Sequence, residues 1–335
     1  MFSGETRGGA GRKHVIIGGG SGFIGRALTA HLRARGDRVT WVSRYAGQDR
    51  LTWADVEAQG LPDCDAVINL AGKHILDMRR VWTKRYRDEV IESRVRTTTI
   101  LVDAINASQR PPAVFVSTAG KCFYGSQAFN EPELYGDLDE YSQPVGIDFP
   151  AELVSQWEAA ANGVDKQRVR HAQIRLGIVL GTQPADAGEV SAATGIGAYG
   201  IFPLLRGMYR SGLCFGMGSG VQPFPWVHID DAVGICIKAL EDPKMQGVFN
   251  AVAPGILSNR EFSEQLARGL QRTYRGQLPS WLIKSAVGLE RSTILLLGQR
   301  VRPTRTLEFG YRFKFSTIGD CLQDLIETRS QEAYA

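Results

Sequence analysis

Residues 14–36 read HVIIGGGSGFIGRALTAHLRARG: a short strand-like run, a glycine-dense turn, and a stretch with the apolar spacing of an amphipathic helix. Gly19, Gly22 and Gly25 fall at G-x-x-G-x-x-G spacing, and Gly20, Gly22 and Gly25 also satisfy G-x-G-x-x-G. Three glycines at a strand-to-helix turn permit a tight bend, a close approach of backbone to a pyrophosphate, and close packing of helix on strand. The helix start then presents unpaired N–H groups and partial positive charge to an anion. The turn is therefore a dinucleotide cradle, with Gly19, Ser21, Gly22, Phe23, Ile24 and Gly25 as its expected contacts.

Working outward, short apolar runs at HVII, DRVTWV, DAVIN, AVFVS and AQIRLGIV alternate with helical patterns through the first 180 residues. That alternation predicts an α/β fold, a Rossmann-type doubly wound parallel sheet. KRYRDEVIESRVRTTTILVDAI places Tyr86, Val90, Ile91, Val95, Thr98, Leu101, Val102 and Ile105 near helical spacing. Beyond Gly181 a glycine-rich tract, GIGAYGIFP and then GMGSGVQPFPWVHIDD, interrupts the pattern before the helices DDAVGICIKALED and NREFSEQLARGL. The expected organisation is a flexible extension over residues 1–13, a dinucleotide-binding domain over 14–181, and a smaller substrate-side lobe over 182–335 with segments returning to the first domain.

The second strand ends WVSR, so Ser43 and Arg44 stand where an NAD-selective site usually places an acid for the ribose 2′-hydroxyl. A planar guanidinium suits a 2′-phosphate instead, and the expected cofactor is NADP(H).

Composition narrows the function classes. With 39 basic and 35 acidic residues spread without a like-charge block, nothing marks a nucleic-acid surface. Cys64, Cys122, Cys214, Cys236 and Cys321 form no C-x-x-C pair, which predicts reduced thiols, no metal site and a cytoplasmic setting. No window reaches the roughly 18 apolar residues of a membrane-spanning helix. The leader MFSGETRGGAGRK lacks an apolar centre, so it is not a secretory signal; its arginines keep a mitochondrial presequence as the alternative.

GGGSGFIG, the NLAG of residues 69–72 and VHIDD together resemble the extended short-chain dehydrogenase/reductase superfamily. WVSR, INLAGKHIL, EVIESR, the FYG of KCFYG, WEAAA, RLGIVLG, PFPWVHIDD, FNAVAP and GQRVRPTRTLEFGYRFKF narrow it. In that order they resemble an atypical epimerase family, the 39U-type short-chain dehydrogenases, from about residue 14 to 326. The resemblance implies that Ser43 and Arg44 contact the adenosine phosphate, that Leu70, Ala71 and Gly72 line the cofactor after the third predicted strand, that Glu89 and Arg94 reach it from the next helix, and that Val179 touches it from RLGIV. It also implies an oxidoreductase or epimerase acting on a small molecule that the residues do not identify. Helices over 84–108 and 150–161 would pair a homodimer.

One part of the superfamily pattern is missing. Its tyrosine and the lysine four residues later map to Pro150 and Val154 in FPAELVSQWEAAA, and neither side chain moves a proton. The catalytic candidates that remain are Tyr124, expected half-buried, and Ser117 or Thr118 at the end of AVFVS. Trp157 is expected in the core, Glu158 at the edge of a helix face, and Asp230 or Asp231 as a helix cap near a structural His228. Trp226 and Arg175 are expected along the same cleft. The incomplete acid/base set leaves open a non-catalytic alternative, an NADP(H)-binding module that senses redox state or binds a partner.

Overall fold

A computed structural model describes residues 12–73, 75, 83–126, 136–146, 148–182 and 200–332. Most of the leader, His74 and Leu76 of INLAGKHIL, and residues 195–199 of the glycine-rich tract lie outside the described residues.

Strand β1 (His14–Gly18) leads through the cradle into helix α1 (Phe23–Ala34), then β2 (Arg38–Ser43), β3 (Arg50–Thr52) and α2 (Trp53–Gln59). Next come β4 (Ala66–Asn69), α3 (Lys84–Ala107), β5 (Val114–Gly120), a 3-10 turn (Lys121–Tyr124), α4 (Phe149–Ala161), β6 (Arg170–Leu176) and β7 (Ile178–Leu180). The C-terminal half holds α5 (Phe202–Arg210), β8 (Gly216–Met217), β9 (Trp226–His228), α6 (Ile229–Glu241), β10 (Gly247–Ala251), α7 (Asn259–Gly269) and β11 (Gln277–Leu278). Helices α8 (Ser280–Val287), α9 (Leu289–Leu296), α10 (Thr304–Glu308) and α11 (Ile318–Glu332) complete it.

Seven strands form one parallel sheet in the order β10-β6-β5-β4-β1-β2-β3. Chain order reverses between β1 and β4, and that switch point opens the crevice in which such sheets bind ligands. Both faces are covered, as a parallel sheet requires. Val15 and Ile17 join Leu28, Leu32, Val233 and Ile237 on the α1/α6 side, while Ile16 and Val67 join Leu101, Ile105 and Phe115 on the other. The expected doubly wound sheet is therefore present.

Two details differ from the sequence expectation. The run AQIRLGIV is not one strand: it breaks at Gly177, where a Cβ would meet the Pro225 carbonyl oxygen at 2.8 Å and Val252 Cγ1 at 2.9 Å. Beyond the break β7 leaves the main sheet and pairs with β9. The sheet also gains edge strands that the pattern did not reveal, the three-residue β3 and, from far along the chain, β10. The second cluster of buried residues holds Leu180, Phe202, Trp226, Phe262, Leu266 and Leu322, which places β7, α5, β9, α7 and α11 around a smaller core.

Candidate functional site

The cradle glycines divide by what surrounds them. A Cβ on Gly19 would lie 2.8 Å from Ala71 Cα, one on Gly20 2.2 Å from the Trp41 ring, and one on Gly25 2.6 Å from the Gly19 carbonyl oxygen. Gly19 also has φ of +75°, a conformation that side chains strain. Those three are glycine because protein fills the space. Gly22 is different: its Cβ would meet only the Gly19 carbonyl oxygen, at 3.3 Å, and nothing else within 4 Å. It is the N-cap of α1, with φ of −77°, no side-chain bond to the first turn and no acidic residue in that turn. A helix start without a cap side chain keeps its amides and positive end turned outward. Ser21 is exposed at the tip, and its carbonyl accepts from Arg26 Nε at 2.8 Å. Phe23 packs its ring toward Gly181 and Gly200, and Ile24 packs against the main core.

At the end of β2 the Ser43 hydroxyl donates to the Tyr45 carbonyl at 2.7 Å, closing a turn that holds Arg44 outward. Arg44 is exposed, 5.7 Å from the Tyr45 ring centre, and makes no ion pair among the described residues.

After β4, Leu70 N–H donates to the Gly18 carbonyl at 2.8 Å and Ala71 N–H to Asn69 Oδ1 at 3.0 Å, so this loop is tied directly to the cradle strand. Gly72 leaves room for Arg94, whose Cζ would lie 3.1 Å from a Cβ there. Arg94 donates to the Val90 carbonyl and stacks 5.2 Å from the Trp157 ring centre. Desolvation pushes its pKa down to about 10, opposed by Tyr86 and Cys122, and it has no carboxylate partner among the described residues. An anion beside a desolvated guanidinium that lacks a carboxylate would make charge-assisted hydrogen bonds with it. Glu89, expected beside it, is bound to Lys73 Nζ at 2.6 Å. Val179 is half-buried in β7, opposite Val227.

The three catalytic candidates turn inward. Ser117 Oγ lies 2.8 Å from His171 Nε2, both buried, and burial pulls that imidazole down to about 4. Thr118 donates to the Asn69 carbonyl at 2.8 Å. Tyr124, expected half-buried, is fully buried instead. Its hydroxyl donates to Asn250 Oδ1 at 3.0 Å and accepts from Arg175 Nη1 at 3.1 Å, and burial pushes its pKa up to about 12 despite Arg175.

Arg175 does not line a cleft. It is buried and forms a two-bond pair with Glu158, at 2.7 and 2.8 Å, so Glu158 is a core charge rather than the edge charge expected. Trp226 is likewise core, its indole N–H reaching the Gly255 carbonyl. The α6 cap is His228, whose Nδ1 accepts from Asp230 N–H at 3.1 Å. Asp231 instead receives the N–H groups of Lys314 and Phe315.

The positions of the missing pair form a wall. Asp148 caps α4 and Pro150 lies in its first turn, where a missing N–H costs least. Val154 is buried with Ala119 and Trp157, 3.5 Å from where a Gly120 Cβ would stand. Sequence reasoning did not single out Arg26, which closes on the Ser21 carbonyl, or the Asn69–Thr98–Trp157 chain of hydrogen bonds. Only Arg26 had a local signal, a cation near a helix start that ordinarily favours acids.

Comparison with known proteins identifies the family and the fold. Residues 15–148 match the NAD dependent epimerase/dehydratase family, and residues 278–325 match a domain of unknown function. The human epimerase family protein SDR39U1 is 41% identical over 93% of this chain and 99% of its own length. An Arabidopsis thaliana homologue described as chloroplastic is 32% identical over 93% of this chain and 86% of its own. A crystal structure of human SDR39U1 (isoform 2) with NADPH has a TM-score of 0.85 at 39% identity, covering 94% of this chain and 99% of that one. The UDP-N-acetylglucosamine 4-epimerase of Bacillus cereus, at 15% identity and a TM-score of 0.69, shares the fold. With that identity sustained over nearly its whole length, the chain belongs to the SDR39U1 epimerase family.

Proposed function

We propose that this protein is an NADP(H)-binding oxidoreductase or epimerase-like enzyme acting on a small molecule. The observation that carries the reading is Gly22: at the head of α1, a glycine that protein packing does not demand leaves the helix amides open to a phosphate. Three features add support: the outward Arg44, the carboxylate-free Arg94, and the NADPH in the human relative's crystal structure. Gly19, Ser21, Phe23, Ile24 and Gly25 with Gly22 would hold the pyrophosphate, Ser43 and Arg44 the adenosine phosphate, and Leu70, Ala71, Gly72, Glu89, Arg94 and Val179 the remaining walls.

A nicotinamide bound there would supply or accept hydride. The chain's own part is to orient that ring and to exclude water with the apolar side chains of Ala119 and Val154. Tyr124, Ser117 and Thr118 as described hold structure rather than hand over a proton, because each hydroxyl is committed to an internal partner. That commitment favours a second reading, a module that binds NADP(H) and signals redox state without turnover. Calorimetric titration of apoprotein with NADPH and NADH tests the shared premise, and heat from neither refutes it. Loss of NADPH absorbance with a panel of carbonyl compounds then separates enzyme from module.

No described helix is long and apolar enough to cross a membrane. A cytoplasmic setting belongs to the same proposal, supported by five free cysteines. So does a homodimer through α3 and α4, supported by a groove of about 860 Å³ on the outer side of α3, lined in part by Ile91, Val95 and Gln156.

A further inference from the structure

Trp157 sits between two parts of the proposed cofactor wall and touches both sides of that wall's support. Its indole N–H donates to Thr98 Oγ1 at 3.0 Å, and Asn69 Nδ2 donates to the same oxygen at 2.8 Å. The other end of that amide, Oδ1, holds the N–H of Ala71. Both Thr98 and Asn69 are fully buried, so each bond in this chain is made away from water and has no solvent substitute. The ring face of the same tryptophan lies under the Arg94 guanidinium, which in turn rests on Gly72. One side chain therefore sets the backbone at Ala71 and the cation beside it. Trp157 itself is carried on α4, which the buried Glu158–Arg175 pair anchors to β6.

We infer that Trp157 is a positioning residue for the dinucleotide: it fixes Asn69 and Ala71 through its N–H and Arg94 through its ring, without contacting the cofactor. This rests on the NADP(H) reading above. In the helix that usually supplies a proton donor, the polar function left is to shape the cofactor site. The Ser43–Arg44 turn lies at the end of β2, outside this chain of bonds, so the preference between NADPH and NADH does not depend on Trp157.

The test measures NADPH and NADH dissociation constants for wild type, Trp157→Phe, Thr98→Val and the double variant, at a temperature where circular dichroism shows each folded. Trp157→Phe keeps a ring under Arg94 and loses one hydrogen bond, for an expected weakening of about fivefold. Thr98→Val removes the shared acceptor and weakens binding about tenfold. The double variant binds no worse than Thr98→Val alone, because the indole N–H has already lost its acceptor. In every variant the NADPH-to-NADH ratio stays at the wild-type value. Wild-type affinity in Trp157→Phe, additive losses in the double variant, or a changed ratio overturns the inference while leaving the cofactor reading intact. A wild-type protein that binds neither dinucleotide overturns both. Should Thr98→Val fail to fold, the same logic applies to Trp157→Leu and Arg94→Ala: removing Arg94 costs about tenfold in wild type and little once the ring is gone.

Discussion

Replacing Gly22 and Gly25 separately by alanine distinguishes a glycine kept for a ligand from one kept for packing. At Gly22 the backbone has φ of −77°, open to any residue, and the new methyl meets only one carbonyl oxygen, at 3.3 Å. Alanine is a poorer N-cap than glycine by about 0.5 kcal/mol. It also restricts the unfolded chain, worth about 0.4–1 kcal/mol in the other direction. The apoprotein should keep its stability to within about 0.5 kcal/mol. Gly25→Ala places its methyl 2.6 Å from the Gly19 carbonyl oxygen and 2.7 Å from Gly20 Cα, both backbone atoms that cannot swing aside. Overpacking of that kind costs about 2–3 kcal/mol. Binding should separate the two in the other sense: the Gly22 methyl occupies the approach to the amides, and NADPH affinity falls about tenfold or more, ~1.4 kcal/mol. Urea denaturation of the apoproteins gives the stabilities, and calorimetric titration gives the affinities. If Gly22→Ala binds NADPH like wild type, or if it loses as much apoprotein stability as Gly25→Ala, the assignment of Gly22 to a ligand is wrong.

Further outcomes are expected at four other sites. Arg44→Ala should weaken NADPH about tenfold and leave NADH nearly unchanged, as loss of a guanidinium–phosphate contact requires; parallel titrations check it, and equal losses contradict it. Tyr124→Phe strands Asn250 Oδ1 and one Arg175 donor, so urea midpoints should show a stability loss of about 1–3 kcal/mol, with NADPH affinity unchanged. Arg175→Met leaves the Glu158 carboxylate buried and alone, for a loss of about 3–5 kcal/mol, whereas adding Glu158→Leu should recover most of it. Buried His171 protonates only near pH 4 when folded, while the unfolded chain takes that proton near 6.5. The unfolded state thus binds more protons between these values: the contribution is complete above about pH 6.5 and shrinks as pH falls toward 4, by on the order of 3 kcal/mol in all. Denaturation at pH 7, 5.5 and 4.5 should show that slope, and His171→Phe should flatten it.

The sheet and cradle were legible in the chain because they depend on local order: alternating apolar runs, glycines at fixed offsets, and a helix pattern following at once. FPAELVSQWEAAA likewise reads as a helix and is one, Phe149–Ala161, capped by the residue before it. Other readings turned on which residues meet from distant parts of the chain. Glu158 looked like a surface charge until Arg175, 17 residues on, was brought beside it by strand β6. Tyr124 looked half-exposed until Asn250, 126 residues later, closed over its hydroxyl from an edge strand too short in pattern to be noticed. The Gly177 break went unseen for the same reason, since its cause is Pro225.

By itself, then, the sequence determined the parallel doubly wound sheet, the glycine-rich turn from strand to helix and the absence of tyrosine and lysine from the central helix, since each is a matter of residue type at a local spacing. Tertiary structure alone decided that the surviving hydroxyls face inward, that Gly22 is the cradle glycine protein packing does not crowd, and that Trp157 ties Asn69 to Arg94. Burial and hydrogen-bond partnership are properties of surfaces that meet in space, and no local period encodes them.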